Sequence, residues 1–102
     1  MTVFNFLPIL KFKISGHSME PTLKDGEVVL VNRLSYLYQS PQKGDIVACK
    51  NPNDGKILIK RIDRVEESKY FVVGDNAKDS RDSRGFGMID KNKIIGKVMS
   101  RQ

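Results

Sequence analysis

Cysteine and histidine are almost absent from this sequence, with one of each, Cys49 and His17. A single cysteine excludes an internal disulfide and a thiolate metal site. Cys49 lies in the apolar stretch 46–49, which makes it a core residue rather than a nucleophile. A Ser-His or Cys-His mechanism would have to use His17, which immediately precedes Ser18. Neighbours in an extended segment point to opposite faces, so His17 is poorly placed as a base for that serine. The sequence calls for no metal and no cofactor. Long hydrophobic runs are missing too. Residues 1–10 are apolar, but Pro8 interrupts them and Lys11 ends them. A membrane-spanning helix needs about 20 apolar residues. No charged start with a small-residue cleavage site marks a signal peptide. The segment 3–14 keeps one role open, docking on a membrane or a partner. Repeats and low-complexity tracts are also missing, which excludes a solenoid or a disordered chain. No basic cluster interleaves with aromatics, so a nucleic-acid platform is not expected.

What is present suits one small domain, residues 1–102. Hydrophobic residues make up 39% and charged residues 29%, a soluble, globular balance. A chain of this length buries a modest share of its surface, so the core must be compact. The net charge of +6 gives a solvated basic surface that could meet anionic lipid headgroups.

Short β-branched runs separated by turn residues predict a mostly β fold, a small coiled or barrel-like sheet with little helix. Strands are expected at 28–31, 45–48, 57–65, 70–73 and 94–99. Turns are expected at 24–27, 42–45 and 66–69. Asn51-Pro52-Asn53-Asp54-Gly55 is a hairpin signal, because Asp-Gly tolerates the positive φ of a tight turn. One short helix is expected around 35–39, and 76–84 reads as a loop.

Three segments hold residues with chemical potential. In Ser15-Gly16-His17-Ser18-Met19-Glu20-Pro21-Thr22-Leu23, a serine sits between a strand and a proline-led turn. Gly16 would allow a close backbone approach, and Pro21 pushes Glu20 towards an extended conformation. Alone, this is an ordinary polar turn. Lys60-Arg61 follows Ile57-Leu58-Ile59 and precedes Ile62. Burial in such a strand lowers a lysine pKa. A fall from about 10.4 to about 8 costs about 3 kcal/mol of differential solvation. Alone, this is a lysine snorkelling from a strand edge. The third segment runs from Gly74 to Gly87 and packs Ser80, Ser83 and alternating charges into one loop. Alone, it is a solvated loop with an Asp82–Arg84 surface pair worth under about 1 kcal/mol.

Together the three segments resemble the type I signal peptidases. Ser18 and its neighbours look like the family's serine box. Lys60-Arg61 looks like its lysine box. Gly74-Asp75-Asn76, Ser80, Asp82-Ser83-Arg84 and Gly87 look like its last box. The order is the family's, and the boxes span residues 15–87. The resemblance implies a signal-peptidase catalytic core with a Ser/Lys dyad. Ser18 would be the nucleophile and Lys60 the general base, with Ser80 orienting the lysine amine. Asp82 and Arg84 would be the ion pair that shapes the loop, and Gly74, Asp75 and Asn76 its structural residues. The Ser18 backbone N–H would face the oxyanion. Some family members add a serine hydroxyl two residues before the nucleophile, where this chain has Gly16. Met19 would lie against the substrate.

The implied substrate is a precursor polypeptide with small residues before the cut. Peripheral membrane contact is part of that reading, and nucleic acid is not. The family usually carries membrane helices and, in some bacterial members, a large inserted domain. Here only 13 residues separate Lys60 from Gly74. Small anchorless relatives resemble proteases that trim the N-terminal extension of nickel-type superoxide dismutase. Membrane association follows from the first branch and a cytoplasmic setting from the second. Self-cleaving SOS-type repressors share the Ser-Lys core, but this chain has no room for their DNA-binding domain and no Ala-Gly or Cys-Gly bond. A catalytically inactive β module that binds peptides or membranes is the non-enzymatic rival.

Overall fold

Alternation of apolar and polar residues sets the strands of the computed structural model, which describes residues 8–101. The chain runs β1 (Ile9–Lys13), β2 (Val28–Asn32), α1 (Ser35–Tyr38), β3 (Ile46–Lys50), β4 (Ile57–Glu66), β5 (Lys69–Val73), α2 (Ser83–Phe86), β6 (Ile89–Asp90) and β7 (Ile94–Arg101). Single 3-10 turns occur at Ala77–Asp79 and Lys91–Lys93. The seven strands form one sheet in the order β1-β2-β7-β3-β4-β5-β6, and every pairing is antiparallel.

The sheet is not flat. Register shifts fall between Leu30 and Val31, Ala48 and Cys49, and Ile62 and Arg64. An extra residue in one strand bends it and increases the local twist. Three such irregularities curl the sheet into a half-barrel, as expected for a mostly β chain with little helix. The two faces hold separate cores. Val47, Cys49, Ile62 and Val72 pack on one with Tyr36, Tyr70 and Ile89. Ile14, Met19, Leu23, Val29, Val31 and Ala48 pack on the other.

The turns follow their residues. Gly55 has φ 73° in the 51–55 turn, and its N–H donates to the Asn51 carbonyl at 2.8 Å. Strands β4 and β5 join through Glu67 and Ser68, both at positive φ, as a tight hairpin turn requires. Cys49 is fully buried, and burial pushes its thiol pKa up to about 12, so it behaves as a core residue.

One expectation gains detail and one changes. Residues 9–13 of the proposed docking segment 3–14 form β1, paired with β2 from Ile9↔Asn32 to Lys13↔Val28. Residues 3–7 of that segment lie outside the described residues. The loop 76–84 is not wholly irregular. It contains the 3-10 turn, and α2 begins at Ser83, where the Asp82 carboxylate caps the Arg84 N–H at 3.1 Å. One helical turn is too short to leave a periodic signal in sequence. Among the described residues, no helix is long and apolar enough to cross a membrane.

Candidate active site

Strand β4 explains the lysine. Side chains two residues apart share a face of a strand. Lys60 therefore shares its face with Leu58 and Ile62, and its cross-strand partner is Val47. This apolar setting leaves it 2% exposed. Removing an ammonium from water disfavours its charged form, so burial lowers the Lys60 pKa. Asp82 pulls weakly the other way. Among the described residues Lys60 forms no ion pair. Its Nζ instead meets two hydroxyls, Ser18 Oγ at 2.9 Å and Ser80 Oγ at 3.1 Å.

Ser18 arrives from the turn after β1. Gly16 has φ 92°, a conformation that disfavours side chains, and its N–H donates to Asp25 Oδ1 at 2.8 Å. A Cβ there would meet nothing within 4 Å, so Gly16 serves the bend and not a close approach. The Leu23 N–H donates to the Met19 carbonyl at 2.9 Å and closes the turn. The His17 ring is engaged by Glu20 rather than by the serine. Its Nδ1 lies 2.8 Å from Glu20 Oε2, and that hydrogen bond raises its pKa.

The loop after β5 supplies the third group. Asp82 is 1% exposed. Its carboxylate accepts from Gly74 N at 2.8 Å, Ser80 Oγ at 2.6 Å, Arg84 N at 3.1 Å and Arg84 Nε at 3.0 Å, and also from Arg84 Nη2. Burial alone would raise its pKa, but these donors outweigh burial and hold it well below the usual carboxylate range. A solvated Asp82–Arg84 surface pair is therefore not what forms. Because Ser80 donates its proton to Asp82, its lone pairs face Lys60. An N–H of Lys60 points at Ser80, which leaves the lone pair of a neutral amine for Ser18. A hydroxyl and a buried amine so arranged can exchange a proton.

The sequence matches the family described as Signal peptidase, peptidase S26, over residues 1–63 and 62–102. The chain belongs to this family. Signal peptidase IB of Staphylococcus aureus is 30% identical to it over an alignment of 149 residues that covers 91% of this chain and 77% of the relative. Signal peptidase I V of Bacillus subtilis is 29% identical over 140 residues, covering 87% and 83%. The two matched pieces of the signal peptidase family meet at residues 62–63, within β4 and directly after the Lys60-Arg61 pair. Membership makes the chain a peptidase whose substrates are precursor polypeptides.

In this signal peptidase chain the candidate residues fall in one place. Ser18, Lys60, Ser80, Asp82 and Arg84 form a continuous hydrogen-bonded chain. Asn76 holds the serine turn: its backbone N–H donates to the Ser18 carbonyl at 2.8 Å and its Nδ2 to the His17 carbonyl at 3.1 Å. Met19 is 1% exposed within one core and also lines a cavity of about 130 Å³ beside Ser18 and Lys60.

Two residues escaped sequence reasoning. Arg61 donates to both Asp75 oxygens at 2.9 Å, and its Nη1 donates to the Gly44 carbonyl at 3.0 Å. Thr22 Oγ1 also donates to Asp75. These bonds lower the Asp75 pKa and tie the serine turn, β4 and the last loop together. The adjacency of Arg61 to Lys60 was the available signal, since a strand sends the next side chain to the opposite face.

Gly74 sits where these parts touch. A Cβ there would stand 2.2 Å from Ser80 Oγ and 2.6 Å from the Ser18 carbonyl. Gly74→Ala is expected to lower the melting temperature and to cut turnover by at least about tenfold, because a shift of about 1 Å at a reacting group has such effects. Thermal melts with a peptide-cleavage assay check this. Wild-type turnover in Gly74→Ala would show that the close approach is dispensable.

Proposed function

We propose that this chain is a serine endopeptidase that removes N-terminal signal or leader segments with a Ser18/Lys60 dyad. The observation that carries the reading is the 2.9 Å approach of Ser18 Oγ to a lysine amine buried among apolar side chains. Burial keeps a share of Lys60 neutral, and Ser80 turns its lone pair to the serine. Ser18 Oγ attacks the scissile carbonyl carbon while its proton passes to Nζ. The oxyanion faces the Ser18 backbone N–H, which donates to no acceptor among the described residues. The Lys60 ammonium then gives its proton to the leaving nitrogen, and the peptide bond breaks. Water, deprotonated by Lys60, hydrolyses the acyl-enzyme. The third group is the Ser80 hydroxyl in place of a carboxylate, as in other nucleophile–base pairs oriented by a neighbour.

Substrate would bind as an added strand. Among the described residues the outer edge of β1 is unpaired, and β5 pairs with β4 only from Arg61 onward, leaving the edge of 57–60 free. The cavity of about 130 Å³ lies between these edges, lined by Phe12, Ile14, Ile57 and Ile59. An extended peptide can fill it by β-augmentation. With about 30 Å³ per water, it has room for about four waters, which suits small side chains before the cut. The net charge of +6 would draw the enzyme to anionic headgroups.

The test is incubation with a precursor carrying small residues before the cut, followed by mass spectrometry of the new N-terminus. A leader peptide and a nickel-type superoxide dismutase precursor in parallel separate the two substrate branches. The signal peptidase relatives favour the leader. Activity should rise as Lys60 loses its proton, along a limb below the ordinary lysine value because burial lowers its pKa. This limb should survive His17→Gln. A profile set by His17 would vanish in that variant and overturn the dyad.

A further inference from the structure

Two opposite charges stand beside the dyad without partners of their own. Ser80 is extended, with φ −146° and ψ 130°. Its neighbours are Asp79, the last residue of the 3-10 turn, and Arg81. Both are exposed, and neither forms an ion pair or a side-chain hydrogen bond among the described residues. They line a cavity of about 260 Å³ that also touches Ser18, Lys60 and His17. This cavity lacks the β1 residues that line the smaller one. A peptide lying between β1 and β4 fills the smaller cavity as far as Ser18, and its continuation past the scissile bond enters the larger.

Both charges stand near the dyad. Asp79 acts electrostatically on both Lys60 and His17, which places it near the dyad. Arg81 also lines a further cavity of about 330 Å³, with Ser80, Asp82 and Arg84. The Arg84 guanidinium is occupied by Asp82, and the His17 ring by Glu20. Among the residues lining these two cavities, Arg81 is thus the cation without a side-chain partner.

We propose that Arg81 is a specificity residue of the leaving side: it pairs with an acidic side chain beyond the scissile bond. The inference rests on the endopeptidase reading above. A solvated pair of this kind favours its substrate by up to about fivefold, less at high salt.

The test uses peptides that differ only in carrying Glu, Gln or Lys after the cut. Turnover is measured with the wild type, and binding with Ser18→Ala by fluorescence anisotropy. The Glu peptide should show the higher kcat/KM, by about fivefold at low salt. Arg81→Gln should erase this ratio, and Arg81→Glu should reverse it in favour of Lys, which loss of a merely structural residue would not do. Turnover and binding indifferent to charge would overturn the inference and leave the endopeptidase reading standing. Charge-dependent binding to Ser18→Ala without turnover of any peptide by the wild type would do the opposite. Neither binding nor turnover of any peptide would overturn both.

Discussion

Lys60→Met and Ser18→Ala are each expected to abolish peptide cleavage, by about 10⁴-fold or more, as removal of a nucleophile or its base does in serine proteases. Their effects on stability should differ from that loss. Lys60 is 2% exposed on a face with Leu58, Ile62 and Val47, and it has no carboxylate partner among the described residues. Methionine has a similar volume and no charge to desolvate. Replacing a buried ionisable group with a well-packed apolar one is often neutral or stabilising. Lys60→Met should therefore be inactive and melt at or above the wild-type temperature. The lysine is held at a cost in stability, as active-site groups commonly are. Turnover assays with thermal melts check both halves. Near-wild-type turnover in either variant would remove the dyad, and a large fall in melting temperature in Lys60→Met would mean that its two hydroxyl contacts stabilise the fold.

Asp82→Asn should give the largest loss of stability among these variants. The carboxylate is 1% exposed and surrounded by donors from Gly74, Ser80 and Arg84. An asparagine turns one acceptor into a donor that faces other donors. Breaking a buried pair costs about 3 kcal/mol at the low end, the end to expect here because the Arg84 side chain is 42% exposed. For a chain of this size that is a fall of more than about 10 °C in melting temperature. Turnover should also fall. Without its acceptor, the Ser80 hydroxyl is free to donate to Lys60 and occupy the lone pair meant for Ser18. The pH dependence has a definite sign. The Asp82 pKa is depressed on folding, so the unfolded chain binds more protons in acid. Its stabilisation is present above about pH 4 and is lost as pH falls from there towards the folded value. Acid titrations of stability should be shallower in Asp82→Asn than in the wild type. An equally steep acid limb would assign it to another carboxylate.

Much of the fold was legible because its signals are local. The runs at 28–31 and 57–65, the Asp54-Gly55 turn and the short helix at 35–39 all correspond to elements that formed. Strand β6 was not legible, because two residues carry no period. The strand before the serine turn, β1, was expected without bounds or a partner, and its apolar character also read as a surface for docking. It became a sheet edge because β2 supplied backbone partners from a segment 15 or more residues away. In the last loop, alternating charges look solvated in one dimension. Only packing shows that the Asp82 carboxylate points inward while the Arg84 side chain stays 42% exposed.

The sequence alone carried the resemblance to the signal peptidase family, in the segments 15–23, 60–61 and 74–87, and its single histidine and single cysteine offered little to a Ser-His or Cys-His mechanism. It also determined the alternation that puts Lys60 on an apolar face. Tertiary structure decided the rest. Ser18 and Lys60 are 42 residues apart, and no local rule places them 2.9 Å from each other. That distance depends on the curl of the sheet, on Asn76 holding the serine turn and on Arg61 binding Asp75 across the back of the site. The direction of the Ser80 proton depends on a carboxylate that is buried only after the loop closes. These are long-range contacts, set by burial and by the need to pair each buried polar group, and neither can be read from one segment at a time.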